Sequence, residues 1–284
     1  MIRLDGVGQV FDGRGGQIQA LEGIDLHVQE NEFVTLIGRS GCGKSTLLRL
    51  IAGLLPPTYG GVEVAGEAVK GPRRDVSFMF QRPALLPWRS VLSNVLLPVE
   101  ISGGKDKGKN AYRDRAHELL ELVGLTGFER RLPHELSGGM QQRVSLCRSL
   151  IRDPKVMLMD EPFSALDALT RTELSEELQR IQMELATTIV FVTHSIEEAV
   201  LLADRVVVLS PRPGRLREIV EIDIPRPRSL GQDAQVADVA RISSRLHSLL
   251  SEKAPLQDST ENAPQLSATG NGSRPPADVP EGRR

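Results

Sequence analysis

The stretch Gly38-Arg39-Ser40-Gly41-Cys42-Gly43-Lys44-Ser45 fits G-x-x-x-x-G-K-[ST], and it lies between the apolar run FVTLI (33–37) and the helix-like TLLRLIAGL. Strand, glycine loop and helix in that order constrain the fold strongly, because the arrangement aims backbone N–H groups and a helix N-terminus at phosphate oxygens. The glycines let the backbone wrap tightly around an anion. Gly38, Ser40, Gly41, Cys42, Gly43, Lys44, Ser45 and Thr46 form the expected nucleotide-binding set. Lys44 is expected to neutralise charge between the β- and γ-phosphates, and the Ser45 hydroxyl to ligate Mg²⁺. A glycine-rich turn with an accidental Lys-Ser is the plain alternative, and the flanking strand and helix argue against it. Cys42 reads as a small filler whose thiol, beside a helix N-terminus, should have a depressed pKa and react in a nucleotide-protected way.

The rest of the chain supplies a sheet for that loop. Strand-length apolar runs at Phe33–Ile37, Val156–Met159, Ile189–Val192 and Val206–Leu209 alternate with helix-length segments, the pattern of a mostly parallel sheet covered by helices. The core is therefore expected to be α/β. After SALD (164–167), Leu166, Leu169, Leu174, Leu178, Ile181 and Leu185 recur at helical spacing and predict one buried face. Alternating segments at Ile18–Val28 and Gly61–Val64 predict an antiparallel β layer, and residues 85–150 read mainly as helix.

With 35 basic and 37 acidic residues among 284, the net charge of −2 gives no electrostatic footprint for nucleic acid or an anionic bilayer. Two cysteines, Cys42 and Cys147, match no metal or disulfide spacing and suit a reducing compartment. No run of about 18 apolar residues occurs. The expectation is a cytoplasmic chain that does not itself cross a membrane.

Three further features fall at predicted strand ends, where open α/β sheets place ligands. The strand VMLMD ends in Asp160-Glu161: Asp160 is placed to hold Mg²⁺ and Glu161 to polarise an attacking water, although Asp-Glu-Pro is also an ordinary turn exit. The strand TTIVFVT ends at His194, within reach of a γ-phosphate or of Glu161, and Gln81 follows the strand-like VSFMF with an amide that can ligate Mg²⁺ or position water. Each of the last two is weak alone. The turn LSGGMQQR (136–143) runs into a helix and forms a second anion cradle. One ATP has a single γ-phosphate face left open by the first loop, so this cradle is expected to close over a nucleotide held by another copy, in a twofold head-to-tail dimer. Ser137 as a simple helix N-cap is the other reading.

Phosphate loop, Gln81, LSGGMQQR, VMLMDEP, SALD and His194, in this order, closely resemble the ATPase subunit of an ATP-binding cassette (ABC) transporter over about residues 1–223. The resemblance implies a P-loop NTPase cassette with an antiparallel β subdomain and a helical signature subdomain, using ATP and Mg²⁺. It implies that Phe11 stacks on adenine, that Ser137, Gly138 and Gly139 bind the γ-phosphate of the opposite protomer, and that Asp167 couples the two sites. The expected catalytic group is Glu161, His194, Gln81 and Lys44, with Ser45, Gln81 and Asp160 at the metal. Arg39, Ser195 and Phe11 stand where many members have Pro, Asp and Tyr.

FMFQRPALLPWRSVLSNVLLPVEI, MDEPFSALDALTR and FVTHSIEEAVLLADRVVVLSPRPGR are similar to the nitrate, sulfonate, taurine and bicarbonate importers, a group that includes relatives handling thiamine-precursor pyrimidines. This implies a second cassette, identical or homologous, membrane permease subunits, indirectly a substrate-binding protein, and a peripheral position on the cytoplasmic face of the inner membrane. Leu85, Leu86, Pro87, Trp88 and Arg89 are the candidate permease contact, with core packing an equal reading for either leucine. A soluble cassette acting on DNA or ribosomes and a non-hydrolysing scaffold are the other classes; a compact single cassette and intact Lys44, Asp160, Glu161 and His194 argue against them. The expected division is an ATPase domain over 1–224 with its helical part at about 85–150, a linker and amphipathic helix over 225–253 presenting Val236, Val239, Leu246, Leu249 and Leu250, and a disordered polar tail over 254–284.

Overall fold

The structure, a computed structural model, describes residues 1–13, 16–102, 109–229 and 235–251. The expected tail over 254–284 lies outside them. Strands β1 (Ile2–Gly13) and β2 (Gly16–Val28) form a long antiparallel pair, extended by β4 (Tyr59–Val64) and β5 (Glu67–Ala68) into a sheet ordered β2-β1-β4-β5. The second sheet contains β3 (Phe33–Ile37), β6 (Val76–Met79), β7 (Val156–Asp160), β8 (Thr188–Val192), β9 (Arg205–Leu209) and β10 (Leu216–Glu221), ordered β10-β9-β3-β8-β7-β6. It is parallel except for β10, which pairs antiparallel with β9 at the edge.

Every residue of β3 and β8 is buried, which is why these strands read as unbroken apolar runs: both faces of the sheet are covered. The period of two sorts their side chains. Val34, Leu36, Val190, Val192, Val156 and Leu158 join the first sheet's Ile2, Leu4, Ile24 and Val64 in one core. Phe33, Ile37, Ile189, Phe191, Met157 and Met159 face a second core. Helix α1 (Lys44–Ile51) commits Leu47, Leu48, Leu50 and Ile51 to the first core, fixing the loop before it against both sheets. The second core takes in α2 (Val91–Val95), α3 (Leu97–Ile101), α4 (Lys109–Leu122), α5 (Gly138–Leu150), α6 (Ala168–Leu185) and α7 (Ile196–Leu202).

The structure differs from the sequence reading in two places here. Strand β1 was not read from the sequence, because Gly6 and Gly8 and register shifts between Leu4 and Val10 interrupt its alternation. The leucine stripe after SALD forms one core-facing side only without Leu169. Leu166 closes a turn, its N–H donating to Phe163 O at 3.1 Å, and helix α6 starts only after the N-cap Asp167, whose Oδ1 accepts from Thr170 N at 3.0 Å. Leu169, on the first turn, is 71% exposed; Leu174, Leu178 and Ile181 are buried, and Leu166 and Leu185 pack partly buried against the same core.

The C-terminal helix α8 (Val236–Ser251) packs on α7 and β9, burying Ile242 and Leu246 while Val239, Leu249 and Leu250 lie against the core. Val236, expected on that face, is 47% exposed at the helix start, and Ile242 fills the centre instead. Ahead of α8, Arg228 is 4% exposed. Its guanidinium donates to Ile224 O (2.8 Å), Val200 O (3.0 Å), Ala203 O (2.5 Å) and Ile222 O (3.2 Å), so carbonyls near the α7 C-terminus take up a buried cation. Burial disfavours the charged form and pushes its pKa down, and these four acceptors are what hold it.

Candidate active site

The loop leaving β3 is locked in shape. Gly43 has φ 103°, and a Cβ there would sit 2.6 Å from Leu21 Cδ2 and 3.0 Å from Ala20 O. Gly38 is confined by Cys42, whose Sγ would be 2.7 Å from an added Cβ. Gly43 is also the N-cap of α1 and brings no side-chain cap, so no side chain competes for the helix's first N–H groups. Lys44 is buried and curls back, Nζ donating to Gly38 O at 2.8 Å and Arg39 O at 3.3 Å. Cys42 keeps its place as a small filler but corrects the expected reactivity. The thiol is buried in the first core and its pKa is raised by that burial, so it packs the loop and is not a poised nucleophile.

Above the loop lies a cavity of about 360 Å³. Phe11 on β1 and Ile18 opposite it on β2 line it together with Ser40, Gly41, Gly43, Lys44, Ser45, Thr46 and Glu161. Phe11, 39% exposed, gives an aromatic wall on the same cavity as the phosphate loop. Arg212 also lines the cavity and was missed: its guanidinium donates to Gly41 O at 3.2 and 3.3 Å. Its only sequence signal is a basic residue in the turn after β9.

The strand ends bring the remaining groups together in two pairs. Ser45 Oγ donates to Asp160 Oδ1 at 2.7 Å, joining the start of α1 to the end of β7. Burial raises the Asp160 pKa, partly offset by the Ser45 hydrogen bond. His194 Nδ1 lies 3.4 Å from Glu161 Oε2. Glu161 has φ 47°, a left-handed conformation that costs a side-chain-bearing residue about 1–3 kcal/mol. Its backbone is held on both sides: N–H donates to Val192 O at 3.0 Å, and the carbonyl accepts from Ser164 N (3.3 Å) and Ser164 Oγ (3.0 Å). Ser164 Oγ in turn accepts from Gln81 Nε2 at 2.9 Å. Ser164 thus ties Gln81 to Glu161, a link that sequence reasoning passed over because Gln81 and Ser164 are 83 residues apart.

The second cradle stands away from this cavity. Ser137 is the N-cap of α5, its Oγ accepting from Met140 N at 3.3 Å. Ser137 and Gly138 are exposed, while Gly139 is pressed on Thr170, whose Cγ2 would be 2.7 Å from an added Cβ. None of the three lines the cavity. Among the described residues, no group of three or more His, Cys, Asp or Glu side chains gathers to hold a metal. No helix among them is long and apolar enough to cross a membrane.

Comparison with known proteins agrees with this geometry. Residues 21–164 match the family model described as ABC transporter. The uncharacterized ABC transporter ATP-binding protein MJ0412 of Methanocaldococcus jannaschii is 51% identical over 227 residues, 80% of this chain and 84% of that protein. The nitrate import ATP-binding protein NrtC of Synechococcus elongatus is 48% identical over 80% of this chain, which spans only 35% of that longer protein. The aliphatic sulfonates import ATP-binding protein SsuB of Bacillus cereus is 43% identical over 80% of this chain and 88% of that protein. Among solved structures, the dimeric post-hydrolysis state of the ATP-binding cassette MJ0796 bound to ADP and Pi superposes with a TM-score of 0.70 at 31% identity, covering 79% of this chain and all of that one. With the phosphate loop, the strand-end carboxylates and the histidine in one fold, the chain belongs to the ABC transporter family, as one of its ATP-binding and ATP-hydrolysing cassettes.

Proposed function

We propose that the chain energises uptake of a small anion of the nitrate, sulfonate or taurine type, as the cassette of an importer. The relatives named for nitrate and sulfonate import support this, and thiamine-precursor pyrimidines are the second cargo class. The observation that carries the mechanism is the placement of His194 3.4 Å from Glu161, beside the Ser45–Asp160 pair at 2.7 Å.

Phe11 stacks on the adenine and the loop N–H groups receive the phosphates. Lys44 exchanges its internal carbonyl partners for β- and γ-oxygens, a stronger charge-assisted set. Ser45 and Asp160 would hold Mg²⁺: one hydroxyl and one carboxylate, paired at 2.7 Å, suit an ion that is seldom caged by protein alone. Gln81, whose Nε2 is engaged by Ser164, offers Oε1 as a further ligand or as an acceptor for water. When bound, Mg²⁺ neutralises charge on the transferring phosphoryl group. Glu161 accepts the proton of the attacking water as its oxygen bonds to the γ-phosphorus and the bond to the β-bridging oxygen breaks; His194 orients Glu161 and the γ-phosphate.

The exposed Ser137 and Gly138 meet the γ-phosphate bound by a second cassette, and loss of that phosphate releases the contact. Closure and opening drive a membrane permease, which places the chain at the cytoplasmic face of the membrane and makes a substrate-binding protein an indirect partner. Of the suggested permease contact, Trp88 is the main anchor at 73% exposed; Leu85 is spent on the core, and Arg89 pairs with Glu100 at 2.6 Å.

The test is Glu161→Gln. We expect turnover to fall by roughly 10²–10⁴ with ATP binding retained and a dimer trapped in size-exclusion chromatography; near-normal turnover removes Glu161 as the base. Gentle solubilisation of tagged chain from its own host, with and without a slowly hydrolysed ATP analogue, should recover a polytopic membrane protein at equal stoichiometry. Recovery with ribosomes, nucleic acid or nothing would remove transport and leave the ATPase.

A further inference from the structure

Helix α7 follows His194 directly, and its first turn holds an acid that the reaction scheme does not use. Glu198 is 6% exposed. Its carboxylate Oε2 accepts a short hydrogen bond from Thr193 Oγ1, and its N–H donates to Ser195 Oγ at 3.2 Å. Thr193 Oγ1 also accepts from Ser195 N at 2.9 Å, and Thr193 N–H donates to Leu36 O at 3.3 Å, next to the phosphate-loop strand end. Thr193 is therefore fastened to the buried carboxylate itself, and Ser195 to the Glu198 backbone N–H and to Thr193 Oγ1, so both residues flanking His194 are tied to Glu198. The other oxygen of Glu198 lies 3.7 Å from Arg171 Nε, while Arg171 Nη2 donates to Leu166 O at 2.9 Å on the SALD turn.

Arg171 Nε has no hydrogen-bond partner, and a carboxylate as buried as Glu198 is costly to keep without a cation. The two groups offset each other's burial only while the SALD turn and the α7 N-terminus hold this spacing. The geometry points to Glu198 as a positioning residue for His194, with Arg171 as the strut that ties His194's placement to the SALD turn. This rests on the catalytic reading of Glu161 and His194 given above, and it adds two residues that act through His194 without touching nucleotide; neither lines the cavity.

The experiment measures ATP turnover of the full chain for Glu198→Gln, Arg171→Met, Arg171→Lys, His194→Ala and the double variant Glu198→Gln/His194→Ala, with thermal melting and nucleotide-analogue binding as checks of folding. We expect Glu198→Gln and Arg171→Met each to lower kcat about tenfold with KM for ATP changed by less than about twofold, since a displaced catalytic group costs rate and not nucleotide affinity. Arg171→Lys should restore part of the loss. In the His194→Ala background, Glu198→Gln should cost nothing further, because residues acting through one group are not additive. An equal loss in that background, or a KM rising in step with a falling kcat, overturns the inference and leaves the catalytic reading intact. Wild-type turnover in His194→Ala overturns the reading beneath it. Should Glu198→Gln fail to fold, Arg171→Met, at a site 29% exposed, decides alone by the same kcat and KM criterion.

Discussion

The two glycine turns of this cassette, 38–45 and 137–139, both open a helix, yet they are built in opposite ways. In the first, glycines are wedged against Leu21, Ala20 and Cys42, no side chain caps α1, and Lys44 is folded inward: the turn is shaped for an anion by its own chain. In the second, Ser137 caps α5, two of three residues are exposed, and the cavity is elsewhere. The contrast teaches that the first turn is shaped within its own chain, whereas the second is an exposed, capped surface which, under the proposed function, meets a nucleotide held by a second cassette.

The sharpest way to break that contrast is to mix defects. Lys44→Ala should reduce turnover by about 10²–10³ by removing the main phosphate cation. Ser137→Asp keeps a good N-cap and so keeps α5, but presents a negative charge to the γ-phosphate; turnover should fall by a similar factor with melting temperature nearly unchanged. Each variant alone is nearly dead, but an equimolar mixture should regain a substantial fraction of activity, because one of the two composite sites in a mixed dimer is then intact. No recovery in the mixture would mean that each chain uses its own second turn.

A smaller effect is expected from Gly43→Ala, which forces a side chain into the left-handed region and against Leu21; unfolding in urea should show a loss of about 1–3 kcal/mol. Smaller again is the pH response of Asp160. Burial raises its folded pKa, so the folded state takes up a proton more readily than the unfolded chain does. The ionised carboxyl therefore costs stability above its folded pKa, and that cost disappears as pH falls through it. Without nucleotide, Asp160→Asn should melt slightly higher than the parent chain at neutral pH and lose the advantage in acid, while Mg²⁺-dependent nucleotide binding by the parent weakens at a higher pH than an ordinary aspartate would require. The least effect is expected at Cys42: with its thiol buried and its pKa raised, maleimide labelling of the folded chain should be negligible with or without ATP.

What the sequence made legible follows the same divide. Buried parallel strands are continuous apolar runs, so their ends were readable, and Lys44, Ser45, Asp160, Glu161 and His194 lie at those ends. Contacts that join two loops leave no periodic signal. Ser164 between Gln81 and Glu161, Arg171 between Leu166 and Glu198, and Arg212 on Gly41 are single polar residues, each with one partner distant in the chain: Gln81, Glu198 and Gly41. The leucine stripe after SALD misled at one position for a related reason: spacing alone cannot see that Asp167 ends a turn and starts a helix, which leaves Leu166 against the core and Leu169 in solvent.

The buried guanidinium of Arg228 sets a rule for anyone who fuses, trims or shuffles this cassette. Its four carbonyl acceptors come from the segment after β10 and from the end of α7. A cut after Ile224, where the last strand has already ended, would strip those carbonyls of their donor at about 1–3 kcal/mol for each one left buried and unsatisfied. A junction placed beyond Ser229 keeps the plug in its socket, so the smallest transplantable ATPase module extends past its own sheet.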